Sequence, residues 1–332
     1  MRVLFIGGTG TISTACSQRA VERGVELYLL NRGQNRRYPA APGAKVLSGD
    51  IHQPDQVRRA IEGLSFDAVV DWIAFGVPDI ENDLTLFRGR TAQFIFISSA
   101  SAYQKPPVHP VTTESTPLCN PFWEYSRKKI ACEERLMQAY REEGFPVTIV
   151  RPSHTYYTGL PASMPYGGYG LVARLREGKP ILVHGDGTSL WCLTHSEDFA
   201  KAFVGLLGCP QAIGHAFHIT SDEVLTWNQI HEIIGAGVGR TPELVHVPSE
   251  FIAKFDAGIG ASLLGDKAHS MIFDNGKIKR FVPEYRATIP FAEGVRRVLA
   301  WFEADPSRQT VDAKALELQD RILAAYRKAY DA

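Results

Sequence analysis

Cysteine is scarce and scattered in this chain of 332 residues: Cys16, Cys119, Cys132, Cys192 and Cys209 are odd in number and form no CxxC pair. A disulfide framework and a zinc site are therefore not expected, and a reducing, cytoplasmic compartment is. An excess of one charge is also missing, because Lys plus Arg and Asp plus Glu number 36 each. No global field draws the chain to nucleic acid or to an anionic membrane, so neither is expected as a partner. No apolar run approaches the roughly 18 residues of a membrane span. Val3-Leu4-Phe5-Ile6 runs straight into a glycine turn, which reads as a buried strand and not as a signal sequence. What remains is an ordinary globular composition, 45% apolar and 22% charged, long enough for one large domain or a domain with an appended lobe.

Short apolar runs recur along the first half at Val3–Ile6, Val25–Leu30, Ala68–Trp72, Phe94–Ile97 and Val147–Val150. They do not alternate with polar residues, as expected of strands covered on both faces. Amphipathic stretches near 11–23, 54–63, 79–89 and 121–143 separate them, and this βαβ rhythm predicts a parallel sheet with right-handed crossovers. After Arg151-Pro152 the rhythm changes. Residues 153–170 are rich in Gly, Pro, Ser and Tyr, and shorter elements follow near 181–183, 196–207, 216–219 and 227–236, with an amphipathic helix over about 311–329. The expectation is an α/β chain: a doubly wound parallel sheet of Rossmann type with a smaller C-terminal substrate-binding lobe. Residues 1–152 would form the dinucleotide-binding domain. Residues 153–332 would form mainly the lobe, partly interleaved with the sheet.

Gly7, Gly8 and Gly10 follow the first strand and open a helix at Thr11 and Ile12. Residues without Cβ let the backbone turn tightly and approach a pyrophosphate, which the helix N-terminal amides then face. Ser13 stands at the usual third small position. An acid at the end of the second strand would favour NAD by bonding the ribose hydroxyls. The residues there are Asn31 and Arg32. Arg32, with Arg36 and Arg37 nearby, can instead meet a 2′-phosphate, so NADP is favoured over NAD, with a solvated basic loop as the alternative. Asp50 is placed to meet the adenine amino group, with a plain helix N-terminal or turn aspartate as the alternative, and Ile51, Ile73, Ala74 and Pro152 complete the expected cofactor contacts.

Ser99 ends the strand Phe94–Ile97, 26 positions before Tyr125, and Lys129 follows Tyr125 by four. Residues i and i+4 share a helix face. An ammonium beside a phenol favours phenolate, and moving a tyrosine from about 10 towards 7 takes roughly 4 kcal/mol. The expected roles are acid/base for Tyr125, a hydrogen bond to the reacting oxygen for Ser99, and pKa tuning with ribose contact for Lys129. YxxxK alone is common by chance; its company here is what gives it weight.

These residues resemble the extended short-chain dehydrogenase/reductase family, in particular its NAD(P)-dependent sugar epimerase/dehydratase group. Gly7, Gly10 and Ser13 match its cofactor fingerprint, Ser99, Tyr125 and Lys129 its catalytic set, and Glu133 its following helix acid. Arg151-Pro152, Gly185-Asp186-Gly187 and His195-Ser196-Glu197-Asp198 match later motifs. The resemblance implies bound NAD or NADP, a carbohydrate-like small-molecule substrate, and homodimers formed through the helices near 79–89 and 121–143. Two departures bear on the substrate. The Asp-Glu pair of sugar 4,6-dehydratases is replaced by Ala100-Ser101. The arginine that UDP-sugar epimerases place four before the position of His195 is here Trp191. Ser101, Ser153, His154 and Trp191 are the expected substrate contacts, and no metal is expected. Tyr103, Tyr156 and Tyr166, and a phosphate contact by Lys277, Lys279 and Arg280, stand open against plain packing or solvation. Three functions compete: an epimerase or oxidoreductase acting on a hydroxyl or keto group of a sugar-like substrate, a net reductase of a small non-nucleotide carbonyl, and a non-enzymatic RNA-binding relative.

Overall fold

The computed structural model describes residues 1–35, 37–166 and 168–330. In chain order the first half forms β1 (Arg2–Ile6), α1 (Ser13–Glu22), β2 (Glu26–Asn31), β3 (Lys45–Ser48), α2 (Pro54–Ala60), β4 (Ala68–Asp71), α3 (Val77–Phe87), β5 (Phe94–Ile97) and α4 (Glu124–Glu143). Strands Val147–Pro152 and Ala216–Ile219 complete a seven-stranded sheet. From one edge the order is Ala216–Ile219, Val147–Pro152, β5, β4, β1, β2, β3, and every neighbouring pair is parallel. This is the doubly wound sheet expected from the apolar runs. The two-residue side-chain period of β1 explains why its run is unbroken. Val3 and Phe5 enter the core that contains Ala15, Phe199 and Phe203. Leu4 and Ile6 enter the opposite core, with Leu84 and Leu136.

Strand addition reverses at β1, with β2 and β3 on one side and β4 and β5 on the other. The crevice outside the carboxyl ends of β1 and β4 is where ligands bind in such sheets. Beyond residue 152 a separate core gathers Trp191, Trp227, Phe291 and Phe302, with helices Trp227–Val238 and Phe291–Glu303 packed together. Helix Ser196–Leu206 instead returns to pack on α1. The basic residues Lys277, Lys279 and Arg280 lie in the helix Gly276–Phe281 and not in a strand or turn. Lys277 donates to the Ala216 carbonyl at 2.8 Å and Lys279 pairs with Asp222 at 2.8 Å, so both ammonium groups are already engaged. Among the described residues no helix is long and apolar enough to cross a membrane.

An acid pair is sealed between β4 and α3. Asp71 ends β4, and its Oδ1 accepts the Ile73 and Ala74 amides at 2.5 and 2.8 Å. Asp83 of α3 is wholly buried, and neither carboxyl oxygen meets an N–H or O–H donor other than its neighbour. That neighbour is the Asp71 carboxyl, and burial followed by the charge on Asp71 pushes Asp83 well above the usual carboxylate range. Two like charges cannot both persist in so dry a site, so Asp83 keeps a proton that it shares with Asp71. A carboxyl raised in the folded state stabilises the fold fully below its unfolded pKa of about 4, and the benefit is lost as pH rises through the folded value. Asp83→Asn removes this dependence. Denaturant titrations at a series of pH values should show the stability of Asp83→Asn, relative to the parent, climbing steadily from pH about 4 upward. A difference that stays flat would mean that Asp83 is ionised.

Candidate active site

The turn after β1 needs its glycines. Gly7 and Gly8 have φ of +101° and +86°, where side chains other than hydrogen are strained. A Cβ on Gly8 would sit 2.6 Å from Leu29. The turn delivers the chain to α1, which begins without a side-chain cap and without an acid in its first turn. The Thr14 amide donates to the Gly10 carbonyl at 3.0 Å, and the helix end carries no competing carboxylate. The Ser13 hydroxyl accepts the Gly10 amide at 2.8 Å, which braces the turn from inside. The Asn35 side chain donates to the Thr9 carbonyl and ties the chain after β2 to the turn.

A cavity of about 840 Å³ extends from this turn across the ends of β1, β2, β4 and β5. Gly7, Gly10, Thr11 and Ile12 form its floor. Asn31, Arg32, Asp50 and Ile51 line one end, and Ile73, Tyr125, Lys129 and Pro152 the other. Ala74 does not face it; that side chain is buried, and its carbonyl accepts the Lys129 ammonium instead. The volume, the strained glycine turn and the uncapped helix end fit a dinucleotide, with the pyrophosphate over the turn. Arg32 is largely exposed and stands 3.7 Å from Asp50, so the cation and the acid expected at the adenosine end hold each other. Arg37 is spent elsewhere: it makes hydrogen bonds to Thr158 at 2.9 to 3.3 Å and lies over Trp301, which removes it from the expected phosphate contacts. Arg36 lies outside the described residues.

A second cavity, of about 340 Å³, opens towards the lobe. Ser99, Ser101, Ser153, His154 and Trp191 line it. Ile12, Ser98, Tyr125 and Pro152 border both cavities, so the Tyr125 phenol stands where the two meet. Trp191 is almost fully buried, packs on Trp227 and donates its indole N–H to the Lys267 and His269 carbonyls. Burial, assisted by Lys267, holds the His154 imidazole down to about 3, so it is neutral at physiological pH. Tyr103, Tyr156 and Tyr166 are core residues and line neither cavity. His195 caps the helix Ser196–Leu206. Among the described residues no three His, Cys, Asp or Glu side chains are grouped to hold a metal ion.

The α4 face that carries Tyr125 and Lys129 points into the crevice, as i, i+4 spacing requires. Lys129 donates to the Ala74 and Ile97 carbonyls at 2.6 and 2.8 Å, and burial brings its pKa down to about 8 against the pull of Asp71. The phenol does not follow the expectation of a lowered pKa. Burial pushes Tyr125 up, Ser99 pulls it down and Asp266 adds to the rise. Lys129 has turned two of its protons to backbone carbonyls and does not offset the desolvation. Ser99 is poised by residues that spacing alone did not reveal. Ser126 donates to Ser101 at 2.8 Å, Ser101 and Ser99 share a bond at 2.9 Å, and the Ser101 amide donates to Ser99 at 3.2 Å. When Ser101 is the donor in the hydroxyl pair, the Ser99 hydroxyl accepts twice and keeps its own proton to donate. Behind it, Arg151 grips Glu133 through Nε and Nη2 at 2.5 to 3.2 Å, and Ser98 donates to the same carboxylate.

Comparison with known proteins agrees with this geometry. The sequence model described as "NAD dependent epimerase/dehydratase family" matches residues 83–220. The 2'-dehydrokanamycin reductase of Streptomyces kanamyceticus is 27% identical over 291 residues, covering 86% of this chain and 80% of that one. A chloroplast stem-loop binding protein of 41 kDa from Arabidopsis thaliana is 29% identical over 265 residues, covering 75% and 67%. Among solved structures, an epimerase from Methanothermobacter thermautotrophicus superposes with a TM-score of 0.75 at 17% identity, covering 92% of this chain and 93% of that one. The UDP-glucose 4-epimerase of Bifidobacterium longum in complex with NAD+ and UDP gives 0.73 at 17%, covering 93% and 100%. These structural likenesses speak for the fold. The sequence match over residues 83–220 and the reductase relative show that the chain is similar to members of the NAD dependent epimerase/dehydratase family.

Proposed function

We propose that the protein is an NAD(P)-dependent oxidoreductase acting on a hydroxyl or keto group of a sugar-like substrate, with Tyr125 as its acid/base. The observation that carries this reading is the position of the Tyr125 phenol on the border between the glycine-turn cavity and the lobe cavity. A nicotinamide ring in the first cavity supplies or accepts a hydride. The chain's own residues handle the proton and the orientation. In the reducing direction the phenol donates its proton to the substrate's carbonyl oxygen while hydride reaches the carbonyl carbon, and an alcohol results. Ser99, fed by Ser101 and Ser126, hydrogen-bonds the same oxygen. Lys129, fixed on two carbonyls, holds the end of the crevice where the ribose would lie. Oxidation runs the same steps in reverse, and an epimerase would use both directions in turn. The raised phenol pKa favours the donor state, which supports net carbonyl reduction over epimerisation. The Arg32 guanidinium supports NADP as the working cofactor, because no carboxylate replaces it at the end of β2.

Two measurements test this. Tyr125→Phe should lower turnover by about 10²- to 10⁴-fold, the usual worth of a positioned general acid, while dinucleotide affinity stays nearly unchanged. A fully active variant would remove the mechanism. Arg32→Ala should weaken NADP binding by roughly 10- to 100-fold, the loss of a charge-assisted hydrogen bond, and leave NAD binding alone. Equal loss for both dinucleotides would sink the assignment to the 2′-phosphate.

A further inference from the structure

The lobe cavity contains one charged side chain that the proton chemistry does not use. Asp266 lies in a one-turn π-helical segment, Leu263–Lys267, and lines the cavity beside Tyr125. Its carboxylate makes no hydrogen bond and no ion pair, although it is half-buried. The backbone on either side is held firmly. Asn120 donates to the Gly265 carbonyl at 2.7 Å and to the Ser101 carbonyl at 2.9 Å, which ties this turn to the serine segment. The Lys267 carbonyl accepts from Ser189 at 2.8 Å and from Trp191 at 3.2 Å, and shares a 2.9 Å bond with the His184 ring. A carboxyl held this firmly at the cavity wall, with no protein partner, is free to accept a donor from a ligand.

The surroundings say what kind of ligand. No Lys or Arg is among the described residues that line this cavity. Its histidine is neutral because burial and Lys267 hold it near 3. Lys105, a buried ammonium on this side, is turned to the Met271 sulfur at 3.0 Å and is pushed down by burial. Burial raises the Asp266 carboxyl above the usual carboxylate range, and Lys267 and Lys105 pull it back towards the charged form without facing the cavity. The Ser153 hydroxyl lines the same space and is likewise buried without a partner. Trp123, Trp191 and Phe273 supply apolar faces. A diphosphate would meet a carboxylate and no cation here.

Building on the proposed oxidoreductase reading, we propose that Asp266 anchors the substrate, accepting an O–H or N–H donor of a non-phosphorylated polyol or aminopolyol whose carbonyl oxygen faces Tyr125. The site thereby discriminates against nucleotide-diphosphate sugars.

Calorimetric titration of the protein saturated with reduced dinucleotide tests this, with D-glucose, D-glucosamine and UDP-glucose as separate probes. The free sugars should bind and UDP-glucose should not. Tighter binding of glucosamine would identify an amine as the donor, and equal binding a hydroxyl. Asp266→Asn should weaken free-sugar binding at least about ten-fold, the loss of a hydrogen bond to a charged acceptor. Unchanged dinucleotide affinity in that variant reports an intact fold. Ser153→Ala, whose lost hydroxyl has no partner in the protein, should weaken the same probes without affecting stability. Tighter binding of UDP-glucose, sugar binding indifferent to Asp266→Asn, or no binding of either free sugar would each overturn the proposal. Free-sugar binding that depends on Asp266 in a protein that transfers no hydride would sink the oxidoreductase reading and leave this one standing. Hydride transfer confined to UDP-linked keto-sugars would do the reverse.

Discussion

The Lys129 ammonium donates to the carbonyls of Ala74 and Ile97, and through these bonds α4 is clamped to the chain leaving β4 and to the end of β5. The clamp decides where Tyr125 stands, because the phenol is one helical turn from the anchored lysine on the same face. It also joins two polar systems that share no side chain. The Ala74 amide binds Asp71 while the Ala74 carbonyl binds Lys129, so one peptide links the buried acid pair to the crevice. Disturbing the acids would move the carbonyl that fixes the lysine. The geometry of the crevice is thus set from beneath, by groups that no ligand touches.

A similar support stands behind Ser99. Glu133 and Arg151 are both buried, and each satisfies much of the other's hydrogen-bonding capacity. Breaking a pair of this kind from one side leaves an uncompensated charge, which costs far more than the pair itself contributes. Its position accounts for its presence. Glu133 lies on α4 two turns beyond Tyr125, Arg151 lies on the strand after β5, and Ser98 reaches the same carboxylate. Helix, strand and serine turn are therefore held in one register by a single carboxylate.

The sheet was legible because burial on both faces leaves an unmistakable trace: Leu4 and Phe5 enter opposite cores yet are equally apolar. The crevice was legible because its parts are local. A glycine turn and an i, i+4 pair are each contained within a few residues. What stayed hidden depends on distant contacts. Asp71 and Asp83 carry no spacing signature, and only the packing of α3 on the sheet brings them together. Ser126, between Tyr125 and Arg127, reads as helix surface until Ser101 is brought to it. Arg37 stands next to the expected phosphate site in the sequence, whereas its partner Thr158 lies 121 residues away. Asp266 belongs to no motif, and its backbone is fixed by Asn120 from 145 residues upstream of Gly265.

Burial also reorders the two catalytic candidates. Free tyrosine and lysine side chains have similar pKa values, with lysine slightly the higher. In a poorly solvated site the charged form of each is penalised, which raises the phenol and lowers the ammonium. Both displacements occur here: Tyr125 is pushed up and Lys129 falls to about 8. The lysine would therefore give up its proton before the tyrosine does, and a phenolate–ammonium pair is not the resting arrangement. The proton waits on the phenol. Under the proposed function, an oxygen entering from the lobe side would meet a neutral donor from Tyr125 and a second from Ser99, with no charge yet developed between them. On that proposal the two donors would stabilise negative charge as it forms on that oxygen, which is what the transfer of hydride to a carbonyl carbon requires.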